Sequence, residues 1–208
     1  MIISHRNQFI FFAVPKTGTH SVRRELRPHL GAEDGEQVGL FERKYLPYPE
    51  LAAIRHGHIS AIEVRPVLGE EMFGRYFKFA FVRNPFDRFV SYCAFISRAS
   101  GEFQAAPAAF MRQVIANVQL QQKPLFRGQH EFLVDADGRL QMDYVGRNED
   151  MQAHYDAICA RLRLPTARLD RVNTSAHRDY REYYDEALVA QVSQLYRRDL
   201  ELFDYRFG

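Results

Sequence analysis

Two short apolar runs, each followed by polar residues, dominate the first half of the chain. They cover residues 9–14 and 76–82 and are rich in aromatic and branched side chains. Runs of this length and composition are typical of strands that are buried on both faces of a parallel sheet. A proline, Pro15 or Pro85, follows each run within three residues. We therefore predict two central strands that both end in strand-to-helix turns.

Helical patterns alternate with the predicted strands. Pro85 suits the first turn of a helix, because the N–H group that proline lacks is not needed there. Asn148 follows a third strand end, "DYVGR", and is predicted to cap the next helix. Asp137-Gly138, between two short alternating runs, predicts a hairpin turn. Residues 30–39 are predicted to form an acidic loop. Helices are predicted over residues 21–26, 61–68, 103–122 and about 185–202, from Pro85, and after Asn148.

This alternation of strands and helices predicts an α/β layered fold with a mainly parallel central sheet flanked by helices. The chain of 208 residues fits a single domain, residues 1–208. In such sheets ligands bind at the carboxyl ends of the strands. Lys16 and Arg83 both follow a predicted strand directly or within two residues. The sequence therefore predicts a site for an anion at this edge of the sheet.

The stretch "PKTGTHS", residues 15–21, has the features of a loop that holds a phosphate-like group. Gly18 permits a sharp turn, and a helix that begins just after it points its N–H groups at one place. The usual nucleotide-triphosphate loop places its lysine after the second glycine, next to a hydroxyl that binds magnesium. Here Lys16 precedes Gly18, and no predicted strand ends in an aspartate that would hold the metal. We predict anion binding without a metal ion.

Composition and charge narrow the class of protein. The chain is 46% hydrophobic and 26% charged, with a net charge of +2, which predicts neither a nucleic-acid binder nor a membrane-surface protein. The two cysteines cannot form a disulfide framework. The N-terminal apolar run is too short for a signal peptide or an integral membrane segment. With Met1 as the first residue we expect a cytoplasmic protein, whose oligomeric state stays open.

Two motifs give the chain a family resemblance. "PKTGTHS" and "FAFVRNPFDRFVSY" resemble the two cofactor-binding motifs of sulfotransferases that use 3′-phosphoadenosine 5′-phosphosulfate (PAPS). The first resembles the loop that grips the 5′-phosphosulfate, and the second resembles the element that grips the 3′-phosphate through an arginine and a serine eight residues later, here Arg83 and Ser91. "RHGHIS" resembles the histidine segment of heparan sulfate 2-O-sulfotransferases and their bacterial relatives. The resemblance covers most of the chain.

The resemblance implies a P-loop-like three-layer fold and a PAPS-dependent enzyme. Such an enzyme moves a sulfuryl group to a hydroxyl of a carbohydrate or glycolipid and releases 3′,5′-adenosine bisphosphate (PAP). Lys16 is then a catalytic residue that stabilises the departing phosphate. His20 stands where relatives usually have threonine or serine, so only its backbone N–H is expected to serve. The implied cofactor-binding residues are Lys16, Thr17, Gly18, Thr19, His20, Ser21, Arg83 and Ser91.

The acceptor hydroxyl must lose its proton, and a neutral imidazole with an unperturbed pKa of roughly 6.5 is a natural base. His58 is the candidate and His56 the alternative. Plainer interpretations of the second motif are an ion pair between Arg83 and Asp87 and a Ser91 hydroxyl that bonds to its own helix. Arg147 and the loop with Asn173, Ser175 and His177 match family segments near the cofactor, without assigned roles.

Two other functions are compatible with an anion loop of this kind. One is a degenerate module that binds the nucleotide without catalysis, and the presence of both Lys16 and a histidine base argues against it. The other is a P-loop-like nucleotide kinase, against which the position of Lys16 before Gly18 counts.

Overall fold

The computed structural model describes residues 1–39, 42–170 and 178–208. The described residues form two compact units, one made of residues 1–82 and 129–170 and the other of residues 83–128 and 178–208. We call these the first unit and the second unit. The predicted family segment with Asn173, Ser175 and His177 lies outside the described residues.

The first unit contains a five-stranded sheet with the strand order β3-β1-β2-β4-β5. β2 pairs in parallel with β4, and β4 with β5, whereas β1 is antiparallel to both β2 and β3. β1 therefore runs against the other four strands, and the prediction of a mainly parallel sheet in an α/β fold is confirmed. The strands are β1 Ile2–Ser4, β2 Phe9–Phe12, β3 Gly35–Glu36, β4 Phe77–Val82 and β5 Tyr144–Arg147.

Aromatic side chains hold the predicted central strands together. Phe11 of β2 stacks on Phe79 of β4 with ring centroids 5.2 Å apart, and Phe9 lies 5.6 Å from the same ring. These rings are buried, and Tyr155 and Ile158 pack in the same core. β2 ends at Phe12, two residues earlier than the apolar run predicts, although Ala13 and Val14 are buried.

The register of the sheet aligns three strand ends. Phe12 is paired with Ala80, and Val82 is paired with Arg147. The segments that follow β2 and β5 therefore leave the sheet at the same edge, as parallel strands require. This is the edge at which the sequence predicts an anion site.

The helices of the first unit agree with the predicted ones in position but differ in length. The helix predicted over 61–68 continues to Arg75, with a break at Gly69, where φ is 76° and ψ is 160°. Its start is fixed by a capping box between Ser60 and Glu63. The helices are α1 Thr19–Leu26, α2 Pro49–Ala52, α3 Ala61–Arg75 and, after the segments of the second unit, α8 Met151–Leu162.

The second unit is helical. Pro85 begins α4, and the Asn84 side chain caps it by accepting the Phe86 N–H at 3.0 Å. The single helix predicted over 103–122 is wrong, because Pro107 and Asn117 each start a new helix. The predicted last helix is likewise interrupted at Tyr196. The helices are α4 Pro85–Ile96, α5 Glu102–Ala105, α6 Pro107–Ala116, α7 Val118–Gln121, α9 Glu186–Leu195 and α10 Arg197–Leu202. In the described parts of the chain, no helix combines the length and apolar character needed to cross a membrane.

The predicted hairpin at Asp137-Gly138 is reduced to a turn with one antiparallel bridge, between Val134 and Leu140. The Asp135 carboxylate accepts the backbone N–H groups of Asp137 and Arg139 at 3.0 and 2.9 Å. These side-chain hydrogen bonds replace backbone pairing between two strands. The turn therefore forms without two full strands.

Arg88 is a buried charge in the helical core of the second unit. It is 1% exposed, and its Nη2 donates to the carbonyl oxygens of Leu125 and Arg127 at 3.3 and 2.7 Å. Its guanidinium carbon lies 5.5 Å from the centroid of the Tyr196 ring. Arg88 therefore ties the loop after α7 to helix α4.

We expect Arg88→Met to lower the free energy of unfolding by roughly 2–4 kcal/mol, because the carbonyls of Leu125 and Arg127 lose a donor from a buried charge. Urea denaturation followed by circular dichroism measures the change. The control is Arg98→Met, at an exposed arginine just beyond the same helix, for which we expect a change within about 0.5 kcal/mol. Equal stability of the two variants would contradict the role of Arg88.

Candidate functional site

The loop between β2 and α1 is a tight turn held by its own side chains. Lys16 and Gly18 have positive φ angles, 66° and 80°. Thr17 is fully buried, and its hydroxyl donates to the Val14 carbonyl at 3.0 Å. The Thr17 hydroxyl therefore donates within the loop. The group of Thr17 that suits an anion is its backbone N–H. The left-handed backbone at a non-glycine residue such as Lys16 is costly and is typical of functional loops.

The N-terminus of α1 lacks a capping side chain. The helix begins at Thr19 after Gly18, without a hydrogen bond from a capping side chain and without an acidic residue in its first turn. The first N–H groups of a helix have no partner within the helix and carry a partial positive charge. Charge and geometry at this helix end therefore favour a phosphate or sulfate group.

Asn148 supports the loop from the neighbouring strand end. Its Nδ2 donates to the Thr17 carbonyl at 3.1 Å. A Cβ atom on Gly18 would lie 2.9 Å from that Nδ2 and 2.5 Å from the Met151 Cε, so the position needs glycine for space as well as for φ. The prediction of Asn148 as a helix cap is wrong: Asn148–Asp150 form a 3-10 turn, and Asp150 precedes α8. The long-range bond to Thr17 replaces the local cap.

His58 is attached to the same loop. Its Nδ1 lies 2.6 Å from the carbonyl oxygen of Ala13. Because a carbonyl only accepts, Nδ1 carries the proton, and the lone pair of the neutral ring is on Nε2. Burial lowers the pKa of His58 to about 3, against the opposing effect of the bond to Ala13. His58 is therefore a neutral imidazole at physiological pH.

His56 lies near His58 without sharing its bond to the loop. The two ring centroids are 6.3 Å apart, and the His56 backbone carbonyl accepts a hydrogen bond from the Gln37 side chain at 3.1 Å. The geometry therefore favours His58 over His56 as the residue coupled to the anion loop.

The remaining residues of the predicted loop, Thr19, His20 and Ser21, differ in their exposure and in their hydrogen-bond partners. Thr19 is buried at the start of α1. The Ser21 hydroxyl donates to the Asp170 carbonyl at 2.7 Å, which gives this side chain a structural role. His20 is exposed, and its Nδ1 lies 2.9 Å from Arg23 Nη2. Partial desolvation of the ring, followed by the charges of Arg23, Lys16 and Arg27, lowers the pKa of His20 to about 4, although the residue as a whole is exposed.

The second predicted motif lies at the start of α4 in the second unit. Arg83 Nε donates to Asp87 Oδ2 at 2.7 Å, so the predicted ion pair exists and orients the guanidinium group. Ser91 is 4% exposed, about two helical turns along α4. Within the described residues its hydroxyl makes no hydrogen bond, and the predicted bond to its own helix is not observed.

The structure thus brings together Lys16, the turn at Gly18, His58 and Asn148 in the first unit, and Arg83 and Ser91 in the second. Arg147, at the end of β5, is exposed beside Asn148. Over residues 1–39, 42–170 and 178–208, no group of three histidine, cysteine or acidic residues is arranged to hold a metal ion. Sequence reasoning missed the role of Asn148, for which the only signal was that the adjacent Arg147 matches a family segment near the cofactor.

Comparison with known families gives one result over almost the entire chain. The family model described as "Sulfotransferase family" matches residues 1–206. Comparison with curated proteins and with solved structures gives no match.

We expect Gly18→Ala to lower the free energy of unfolding by about 1–3 kcal/mol, because an L side chain is strained at this φ and meets Met151 and Asn148. Gly74→Ala is the matched control, since a Cβ there has open space inside α3 and improves helix propensity. Chemical denaturation measures both variants. A Gly18→Ala protein as stable as the control would show that the loop does not need glycine.

The neutral state of His58 predicts a stability that falls in acid. Between about pH 6.5 and pH 3 the unfolded chain binds a proton at this residue that the folded chain does not bind, so stability decreases as the pH falls through that range. From pH 7 to pH 5 we expect a loss of roughly 1–2 kcal/mol from this side chain. His58→Asn keeps a donor toward Ala13 and cannot titrate. Urea denaturation at both pH values should show a smaller loss for this variant, and an unchanged loss would contradict the assignment.

Proposed function

The chain belongs to the sulfotransferase family, and from this membership we propose that it transfers the sulfuryl group of PAPS to a hydroxyl of a carbohydrate or glycolipid. Membership supports a transferase that moves a sulfuryl group from a sulfate donor. The donor PAPS, the product PAP, the class of acceptor and the residue roles are our proposal. We include in it a P-loop-like three-layer arrangement and a single sulfotransferase domain over residues 1–208.

The observation that carries the proposal is the hydrogen bond from His58 Nδ1 to the Ala13 carbonyl. Ala13 lies three residues before Lys16, in the segment that leads into the anion loop. The same short segment thus orients a neutral imidazole and supports the loop for the sulfate donor. A base and a donor site that share one segment of main chain can be positioned for in-line transfer.

The charge of the loop and the start of its helix support binding of the 5′-phosphosulfate. Gly18 allows the loop to pack tightly against Asn148 and Met151, and α1 begins without a capping side chain or an acidic residue. Partial desolvation lowers the pKa of His20 most, followed by the charges of Arg23, Lys16 and Arg27, while Glu36 raises it, so three cations and one carboxylate act on this part of the loop. A group with several negative charges is therefore favoured here.

In the reaction, His58 Nε2 accepts the proton of the acceptor hydroxyl as its oxygen bonds to sulfur. The bond between sulfur and the bridging oxygen of the phosphate breaks, and the Lys16 ammonium stabilises the charge that develops on this oxygen. A pKa of about 3 makes His58 a weak base in the free protein. Negative charge bound at the adjacent loop raises the pKa of a nearby imidazole, which strengthens the base when the donor is present.

Arg83 and Ser91 are proposed to bind the 3′-phosphate. The ion pair with Asp87 orients the Arg83 guanidinium, whose planar set of donors suits a phosphate. The buried Ser91 hydroxyl follows on the same helix. Recognition of this phosphate would distinguish PAPS from adenylyl sulfate, which lacks it. The other residues proposed to bind the donor are Thr17, Gly18, Thr19, His20 and Ser21.

The experiment that tests the donor is calorimetric titration of the protein with PAP, AMP and ATP, with and without magnesium. We expect PAP to bind at least about tenfold more tightly than AMP, which corresponds to about 1.4 kcal/mol. Arg83→Met should remove this preference, whereas Asp87→Asn, which removes the ion pair and keeps the arginine, should retain most of it. Binding of ATP only, with magnesium, would support a kinase instead.

Turnover is measured afterwards with radiolabelled PAPS and a panel of simple glycans and glycolipids. Lys16→Met and His58→Asn should each lose about 100-fold or more in kcat. His58→Asn should bind PAP within about threefold of the wild type, because His58 acts on the acceptor. PAP binding without turnover on any acceptor, in wild type and variants alike, would favour a binding module without catalysis.

A further inference from the structure

A buried glutamine holds the segment that contains the candidate base, residues 55–58. Gln37 directly follows β3 and is fully buried. Its Nε2 donates to the carbonyl oxygens of Leu51 and His56 at 2.8 and 3.1 Å. Its Oε1 accepts the Leu46 N–H at 3.2 Å. One side-chain amide thus joins the end of α2 and the histidine segment to the edge of the sheet.

The main chain of the histidine segment packs directly on the residues around Gln37. A Cβ atom on Gly57 would lie 2.3 Å from the Gln37 carbonyl oxygen, and a Cβ atom on Gly39 would lie 2.3 Å from the Arg55 carbonyl oxygen. Both positions therefore need glycine for this close approach. Because no side chain separates the two segments, a displacement of residues 37–39 also displaces residues 55–57.

The histidine segment has little regular structure of its own. Residues 53–60 lie between α2 and α3, outside the helices and strands. Arg55 has a φ of 60°, in the left-handed region, where a residue with a side chain is strained. Such a backbone persists only where its surroundings determine it. The hydrogen bonds from Gln37 to both sides of Arg55 supply this support.

His58 lies two residues beyond the carbonyl that Gln37 holds. Its Nδ1 lies 2.6 Å from the Ala13 carbonyl oxygen, a contact that spans 45 positions of the chain. The ring can make this bond only if the main chain that carries it has the right position. A displacement of a reacting group by about 1 Å can cost about 100-fold in rate.

We infer that Gln37 is a positioning residue for His58. It holds the main chain of residues 55–57 so that the His58 Nδ1–H meets the Ala13 carbonyl, which leaves Nε2 to accept the proton of the acceptor hydroxyl. The inference rests on the proposed function, because it assigns a support to the proposed base. Gln37 is fully buried and acts through His58, not on the substrate.

Gln37→Met keeps the length of the side chain and removes all three of its hydrogen bonds. We expect kcat with radiolabelled PAPS to fall about 10- to 100-fold, because the base is misplaced. PAP affinity, measured by calorimetry, should stay within about threefold of the wild type, because the variant changes the support of the base and not the anion loop.

The control is Asp34→Asn, at the residue that directly precedes β3. The Asp34 carboxylate accepts the Ser4 hydroxyl at 2.6 Å and the Gly31 N–H at 2.8 Å. Its loss weakens hydrogen bonds in the same unit at the other end of β3, so it reports the effect of lower stability alone. We expect kcat within about twofold of the wild type for this variant.

A double variant tests whether Gln37 acts through His58. In the His58→Asn background, Gln37→Met should lower kcat by less than about twofold, because the residue that it positions is absent. The same loss of kcat in both backgrounds would overturn the inference.

The position of the ring is measured on the free protein by ¹⁵N NMR of the histidine side chains at pH 7. The His58 signals are identified by their absence from His58→Asn. We expect the proton on Nδ1 in the wild type and in Asp34→Asn, and a mixture of tautomers in Gln37→Met. If Gln37→Met does not fold, Gln37→Asn, which is one methylene shorter, should show a smaller change in the same direction. An unchanged tautomer, or a changed tautomer without loss of kcat, would overturn the inference.

Failure of this inference and failure of the proposed function give different results. A wild-type protein without preference for PAP over AMP would contradict the proposed donor, whereas the NMR comparison needs no donor and still decides whether Gln37 holds His58. A wild-type protein that prefers PAP and transfers the sulfuryl group, together with Gln37 variants of unchanged kcat and tautomer, would overturn the role of Gln37 and leave the proposed function intact.

Discussion

The candidate site depends on the orientation of three carbonyl groups in the segment that follows β2. The Ala13 carbonyl accepts from His58, the Val14 carbonyl from Thr17, and the Thr17 carbonyl from Asn148. An oxygen that accepts a donor from the protein does not face a bound anion. The negative ends of these peptide groups are therefore held by the protein, while α1 presents its first N–H groups without a capping side chain.

This arrangement has a conformational cost that the surrounding structure must offset. Lys16 and Gly18 occupy the left-handed region, and Gly18 lies against Asn148 and Met151 with no space for a side chain. Such backbone persists only where neighbouring contacts determine it. Here β5 and the turn after it supply these contacts, so the strand order brings the support for the loop from residues more than 100 positions away.

The elements that the sequence predicts well are those with local signals. The apolar runs at β2 and β4, Gly18 before α1 and Pro85 at the start of α4 need no distant partner to be recognised. β1 and β3 were not predicted, because β1 is three residues long and β3 has two residues inside a polar loop. Both form only by pairing along the sheet.

Within the candidate site the same distinction holds. The residue types of the anion loop can be predicted from the motif, but the bond from Asn148 to Thr17 joins residues 131 positions apart, and the bond from His58 to Ala13 spans 45. A local pattern predicts Asn148 as a helix cap, and only the sheet register shows why its amide binds elsewhere. The sequence therefore identifies the candidate residues, whereas long-range packing determines which of their atoms donate or accept hydrogen bonds.

The two histidines of the first-unit site show how this decision is made. Both have lowered pKa values and are neutral, so charge does not distinguish them. His58 Nδ1 meets a carbonyl oxygen and must donate, which leaves a lone pair on Nε2. His20 Nδ1 meets a guanidinium and must accept, which leaves an N–H on Nε2. The same side chain is thus a proton acceptor in one place and a hydrogen-bond donor in the other, and the partner of Nδ1 alone determines which.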